Sequence, residues 1–154
     1  MRQAVIGVGN EFQGDDGIGR HVIRELRGIL PSDVLVVEEQ ADAANLMEAW
    51  KDADHVIIID AMVSGALPGT IMRFNAAEMP LPREIFPHFS THSYSVAESV
   101  ELARLLDRLP ARVTVYGIEG KQFKTSEQLS NELLQKTQEI VKVVVQEINA
   151  EYED

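Results

Sequence analysis

The chain of 154 residues is 45% apolar and 25% charged, which suffices for one globular domain with its own core. Its 14 basic and 25 acidic residues leave a net charge of −11, which disfavours nucleic-acid binding. The lack of cysteine excludes a disulfide framework, thiolate zinc sites and a cysteine nucleophile.

An apolar, β-prone run over 3–8 leads into a glycine-rich loop, Gly7-Val8-Gly9-Asn10-Glu11-Phe12-Gln13-Gly14-Asp15-Asp16-Gly17-Ile18-Gly19. Helical spacing follows over 17–30. Nucleotide-binding folds hold phosphate at such a strand–loop–helix junction. Here two carboxylates take that place, and they repel phosphate and attract a metal cation. Both phosphate fingerprints fail. Counted from Gly7, Phe12 stands at the last glycine of GxGxxG; counted from Gly9, Asp15 stands where a P-loop needs lysine. Gly7 and Gly9 are expected to turn the chain out of the strand, and Gly17 and Gly19 to let a substrate backbone approach the acids.

Further strands are predicted over 34–38, 55–60, 70–75 and 112–116, and further helices over 43–51, 96–109 and 126–150. Ser95 and Glu98 form a capping box for the third helix. Leu129, Leu133, Ile140 and Val144 lie on one stripe of the last helix, which predicts burial against a sheet. The alternation predicts an α/β, three-layer fold with a mostly parallel five-stranded sheet and helices on both faces. Only residues 61–69 separate the third and fourth strands, too few for a crossover helix, so one strand should run antiparallel to the third after the 64–69 turn. A single domain over 1–150 and a frayed acidic tail over 151–154 are expected, because acids at a helix C-terminus oppose its dipole. No run of about 20 apolar residues and no signal-like N-terminus occurs, which predicts a soluble, cytoplasmic protein.

In open α/β sheets the working crevice lies beyond the carboxyl ends of the parallel strands. Asp15 and Asp16 follow the first strand, and Asp60 ends the apolar run Val56-Ile57-Ile58-Ile59. A carboxylate at the end of a buried strand needs a compensating partner: a metal, a backbone N–H or an arginine. Among the four histidines, His21 lies within the first helix and His55 opens the third strand at its far end. His88 and His92 lie in the polar loop before the third helix, and His92 is nearer the helix start. Convergence of Asp16, Asp60 and His92 would suit a divalent first-row transition metal. A response-regulator receiver also pairs acids after its first strand with an aspartate after its third. It lacks a glycine-rich loop there, needs a helix between strands three and four, and carries Lys-Pro where this chain has Lys121-Gln122. No GxSxG elbow and no HExxH motif occurs.

Taken together, the motifs resemble the hydrogenase maturation proteases. These endopeptidases trim the C-terminus of the large subunit of nickel–iron hydrogenases. The resemblance rests on Gly7-Val8-Gly9-Asn10, Asp15-Asp16-Gly17-Ile18-Gly19, Asp60-Ala61, Pro68-Gly69-Thr70, Thr91-His92 and Gly117-Ile118-Glu119, in that order. It implies a metal-dependent peptidase whose ligands and catalytic residues are Asp16, Asp60 and His92. Some relatives have glutamate at the position of Asp16, and Asp15 is adjacent to it. The resemblance further implies that nickel comes with the precursor rather than as a permanent cofactor, so that cleavage checks metal loading. The partner is then a hydrogenase large-subunit precursor, with no nucleic acid or membrane involved and the protease a monomer. The alternative function is a non-catalytic metal-sensing chaperone or binding module of the same fold.

Overall fold

The computed structural model describes residues 1–87, 94–126 and 128–150. His88, His92 and the 151–154 tail lie outside the described residues. Among the described residues there are five strands and four α-helices, in the order β1 Gln3–Val8, α1 Ile18–Leu26, β2 Leu35–Glu39, α2 Ala43–Trp50, β3 His55–Met62, β4 Ile71–Asn75, α3 Val96–Leu105, β5 Arg112–Glu119 and α4 Asn131–Asn149. Short 3₁₀ turns at Gly14–Gly17 and Arg83–Ile85 complete the list of elements.

The strands form one sheet in the order β2-β1-β3-β5-β4. β1 pairs in parallel with both β2 and β3, β3 pairs in parallel with β5, and β4 is antiparallel to β5. All eight residues of β3 are buried, as expected for a central parallel strand covered on both faces. Alternation of side chains splits the core in two. Val5, Ile57 and Ile59 pack with Ile18, Val22 and Ile23 of α1 and Leu133, Ile140 and Val144 of α4. On the other face Ile6, Val56 and Ile58 pack with Leu46 and Trp50 of α2 and Val96 and Val100 of α3. The predicted three-layer architecture is therefore the observed one.

Two expectations change. β4 runs against the parallel strands as predicted, but it lies beside β5 at the sheet edge rather than beside β3. Exposure explains the choice. Met72, Arg73 and Asn75 of β4 face solvent, which suits an edge, whereas β5 is buried from Val113 to Glu119 and fills the interior position. The last helix begins at Asn131, not at 126, because Ser130 caps it by accepting from Leu133 N. Residues ahead of the cap bridge back to the first loop, through Gln13 and Ser126. The capping box of α3 is present as predicted, Ser95 accepting from Glu98 N and Glu98 from Ser95 N.

Candidate active site

The chain leaves β1 for β2 on one side and returns to β3 on the other, so the order reverses between the carboxyl ends of β1 and β3. Ligands of open α/β sheets bind at such a switch point. Asp16, carried on the Gly14–Gly17 turn after β1, and Asp60, within β3, are both found there.

Backbone geometry brings the two together. Gly9 has φ +138°, in the region that favours glycine, and a Cβ there would meet the Asp16 carbonyl oxygen at 2.0 Å. Further along, the start of α1 sits directly on the sheet. A Cβ at Gly19 would lie 2.3 Å from Ile59 O and 2.7 Å from Val8 O, and one at Gly7 would lie 2.3 Å from Gly19 O. Gly7 and Gly19 thus serve close packing of α1 against β1 and β3, not a turn or a substrate's approach as the sequence suggested. Gly17 is also packed, with Glu11 Cα 3.1 Å from where its Cβ would be.

Four carboxylates are buried at this end of the sheet: Asp15, Asp16, Asp60 and Glu119. Two of them are saturated with donors. Asp15 is fully buried and accepts from the backbone N–H groups of Lys121 (2.8 Å), Gln122 (3.0 Å) and Ser130 (2.7 Å). Glu119 accepts from Ser64 N at 3.0 Å, Ser64 Oγ at 2.5 Å and Gly65 N at 3.4 Å, fixing the loop that follows β3. The other two are sparsely served. Asp16 Oδ2 accepts from Asn10 N at 2.8 Å, and Asp60 Oδ1 from Ala61 N at 2.8 Å, and these are their hydrogen bonds among the described residues.

The electrostatics follow from that difference. Burial pushes Asp16 up to about 6, against the opposing pull of the Asn10 N–H and Arg20. Burial, with the charge of Asp16 added, pushes Asp60 well above the usual carboxylate range. Two neighbouring desolvated carboxylates, one raised further by the charge of the other, either hold protons or welcome a cation. Their donor set, oxygens with free lone pairs, fits a divalent metal. Among the described residues no third His, Cys, Asp or Glu joins the pair. His92 lies outside the described residues. The side chain of Asp60 alternates with Ile59 and Ala61, which face α1 and α4, so it points to the sheet face that α3 covers. His21 and His55 are elsewhere. His55 is buried at the opposite end of β3, with Nε2 3.0 Å from Thr114 Oγ1 and 3.9 Å from Glu147 Oε2.

The part played by Glu119 was not legible in the sequence, and the choice of Asp16 over the adjacent Asp15 rested on the family motif alone. Glu119 stood within a recognised motif, yet its partners lie 54 and 55 positions away. For Asp15 no local signal existed, since its donors are more than 100 positions distant.

Comparison with known proteins gives the family and the fold. The family model for HycI, hydrogenase maturation protease, matches residues 20–150. The chain belongs to the hydrogenase maturation protease family. It is 32% identical over 122 residues to the hydrogenase 2 maturation protease of Escherichia coli strain K12, covering 77% of this chain and 73% of that protein. Its fold superimposes on the hydrogenase maturating endopeptidase HybD from E. coli with a TM-score of 0.82, 25% identity and coverage of 96% and 92% of the two chains. For the NiFe hydrogenase maturation protease HybD from Thermococcus kodakarensis the TM-score is 0.73 at 26% identity, with 95% of this chain and 98% of that chain covered. The family member described here is accordingly a peptidase.

Proposed function

We propose that this maturation protease removes the C-terminal extension of a nickel-loaded hydrogenase large-subunit precursor, with Asp16, Asp60 and His92 as the metal-recognition site. One observation carries the reading. Asp16 and Asp60 lie together at the carboxyl ends of β1 and β3, are desolvated, and have fewer donors than Asp15 and Glu119. Nickel arrives as part of the substrate. A divalent cation held there would supply a Lewis acid at the scissile carbonyl.

The chain's own residues prepare for that event. Asn10 N–H fixes one oxygen of Asp16 and leaves the other without a hydrogen bond among the described residues. Ala61 N–H does the same for Asp60. Both carboxyls must shed the proton that burial favours, and His92 must be neutral, so protons compete with metal. His92 stands three positions before the Ser95 cap of α3, the helix on the face toward which Asp60 points. Precursor without nickel would leave the two acids repelling each other and would be cleaved poorly.

The protein is read as acting in the cytoplasm, as a monomer, on a protein partner. The net charge of −11 disfavours nucleic acid as that partner, and among the described residues no helix is long and apolar enough to cross a membrane.

Alanine at Asp16, Asp60 or His92 should lower precursor processing by more than the roughly 10–100-fold typical of losing an outer partner of a metal ligand. Far-ultraviolet circular dichroism should stay unchanged. Intact-mass spectrometry of the precursor reads the loss of the extension. If His92→Ala processes at the parental rate, the third ligand is not His92, and His88 is the next to test.

A further inference from the structure

We propose that Asp15 is a positioning residue for this reaction, holding the turn that presents Asp16 and never touching metal or substrate itself. The proposal rests on the site reading above. Its geometry is independent of it.

Asp15 is completely buried, and both of its carboxylate oxygens are occupied. Oδ2 takes the N–H groups of Lys121 and Gln122, and Oδ1 takes that of Ser130. Its own backbone N–H returns a bond to Gln122 O at 2.9 Å. The neighbouring Gly14 N donates to Ser126 O, and Ser126 N to Phe12 O, both at 2.9 Å. One side chain therefore ties the Gly14–Gly17 turn to the segment between β5 and α4 and to Ser130, the cap of α4. Because Asp16 is the next residue, any slack in this anchor moves the Asp16 carboxylate relative to Asp60. Both oxygens of Asp15 are bonded and its side chain is fully buried, whereas Asp16 keeps one oxygen free of hydrogen bonds among the described residues.

A carboxylate is required for chemical reasons. Three N–H donors converge from two directions, and only an acceptor at both ends meets them. Asparagine has the same shape but turns an NH₂ toward one donor set. The defect is local, yet it is placed one residue from the reacting group. Outer partners of metal ligands act in this way, by fixing the ligand rather than binding the metal.

The test is a double-mutant cycle on precursor processing with wild type, Asp15→Asn, Asp16→Ala and the double variant, each checked for melting temperature. Asp15→Asn should lower kcat about 10–100-fold with KM within about twofold. In the Asp16→Ala background the same change should add nothing, because its route of action is gone. If Asp15→Asn folds poorly, Asp15→Glu keeps both acceptors on a longer arm, and must show the same kcat loss in the folded protein. Parental kcat in the folded Asp15 variants, or single effects that multiply in the double variant, would overturn the proposal. Parental processing by Asp16→Ala would instead overturn the site reading, and the positioning role with it.

Discussion

Asp16 and Asp60 are buried at the mouth of the sheet with one backbone N–H each, while Asp15 and Glu119, equally buried, are fully served by donors. The unserved pair should destabilise the metal-free protein. A carboxyl with a raised folded pKa binds its proton more tightly in the native chain than in the unfolded one. Stability therefore falls as pH rises from about 4, the unfolded value, and the loss is complete above the folded value. For Asp16 the window runs from 3.8 to about 6, a loss on the order of 3 kcal/mol. Asp60→Asn removes one of the two charges and keeps an acceptor for Ala61 N. It should raise the melting temperature by several degrees at pH 8, with the gain vanishing toward pH 4, while processing is lost. A pH series of thermal melts checks this; a lower melting temperature for Asp60→Asn at pH 8 would contradict it. At this scale the sequence was informative about Asp60, because a lone acid closing an apolar strand has to be explained. For Asp15 against Asp16 it offered only the family motif, because two identical neighbours are told apart physically by backbone groups distant along the chain.

The first loop works as an element because α1 starts against the strands themselves. Gly19→Ala would drive a Cβ to 2.3 Å from Ile59 O, a backbone atom of a central strand that cannot step aside. It should cost at least about 3 kcal/mol, the upper part of the range for overpacked cores, measured by urea denaturation. Near-parental stability would mean that α1 can lift off the sheet. The periodicity of the sequence located the strands and α-helices of the described residues, since each has an apolar face to bury. It misjudged ends that depend on tertiary partners. The cap at Ser130 shortens α4, and the edge position of β4 follows from the burial of β5, which local pattern does not reveal. The same holds for the two glycines at the β1–α1 crossing, whose contacts are to other elements.

For the whole molecule, the switch between β1 and β3 gathers the acids at one end of the sheet, and a second polar group braces the other end. There Tyr116 OH and Arg73 Nε donate to Glu147 of α4, at 2.5 and 2.8 Å, beside the buried His55. The fold class and the gathering of acids at the carboxyl ends of β1 and β3 were legible in the alternation of strands and helices. The division of labour among the buried acids became visible only in three dimensions. In the proposed function the protein cleaves a hydrogenase large-subunit precursor and its paired acids read the nickel. Intact-mass spectrometry of nickel-loaded and nickel-free precursor, each incubated with the wild-type protein, tests it most directly. Loss of the C-terminal extension from the loaded precursor alone is the predicted result. An unchanged mass in both samples would contradict the claim and leave a binding module, and equal cleavage of both would remove nickel from the recognition step.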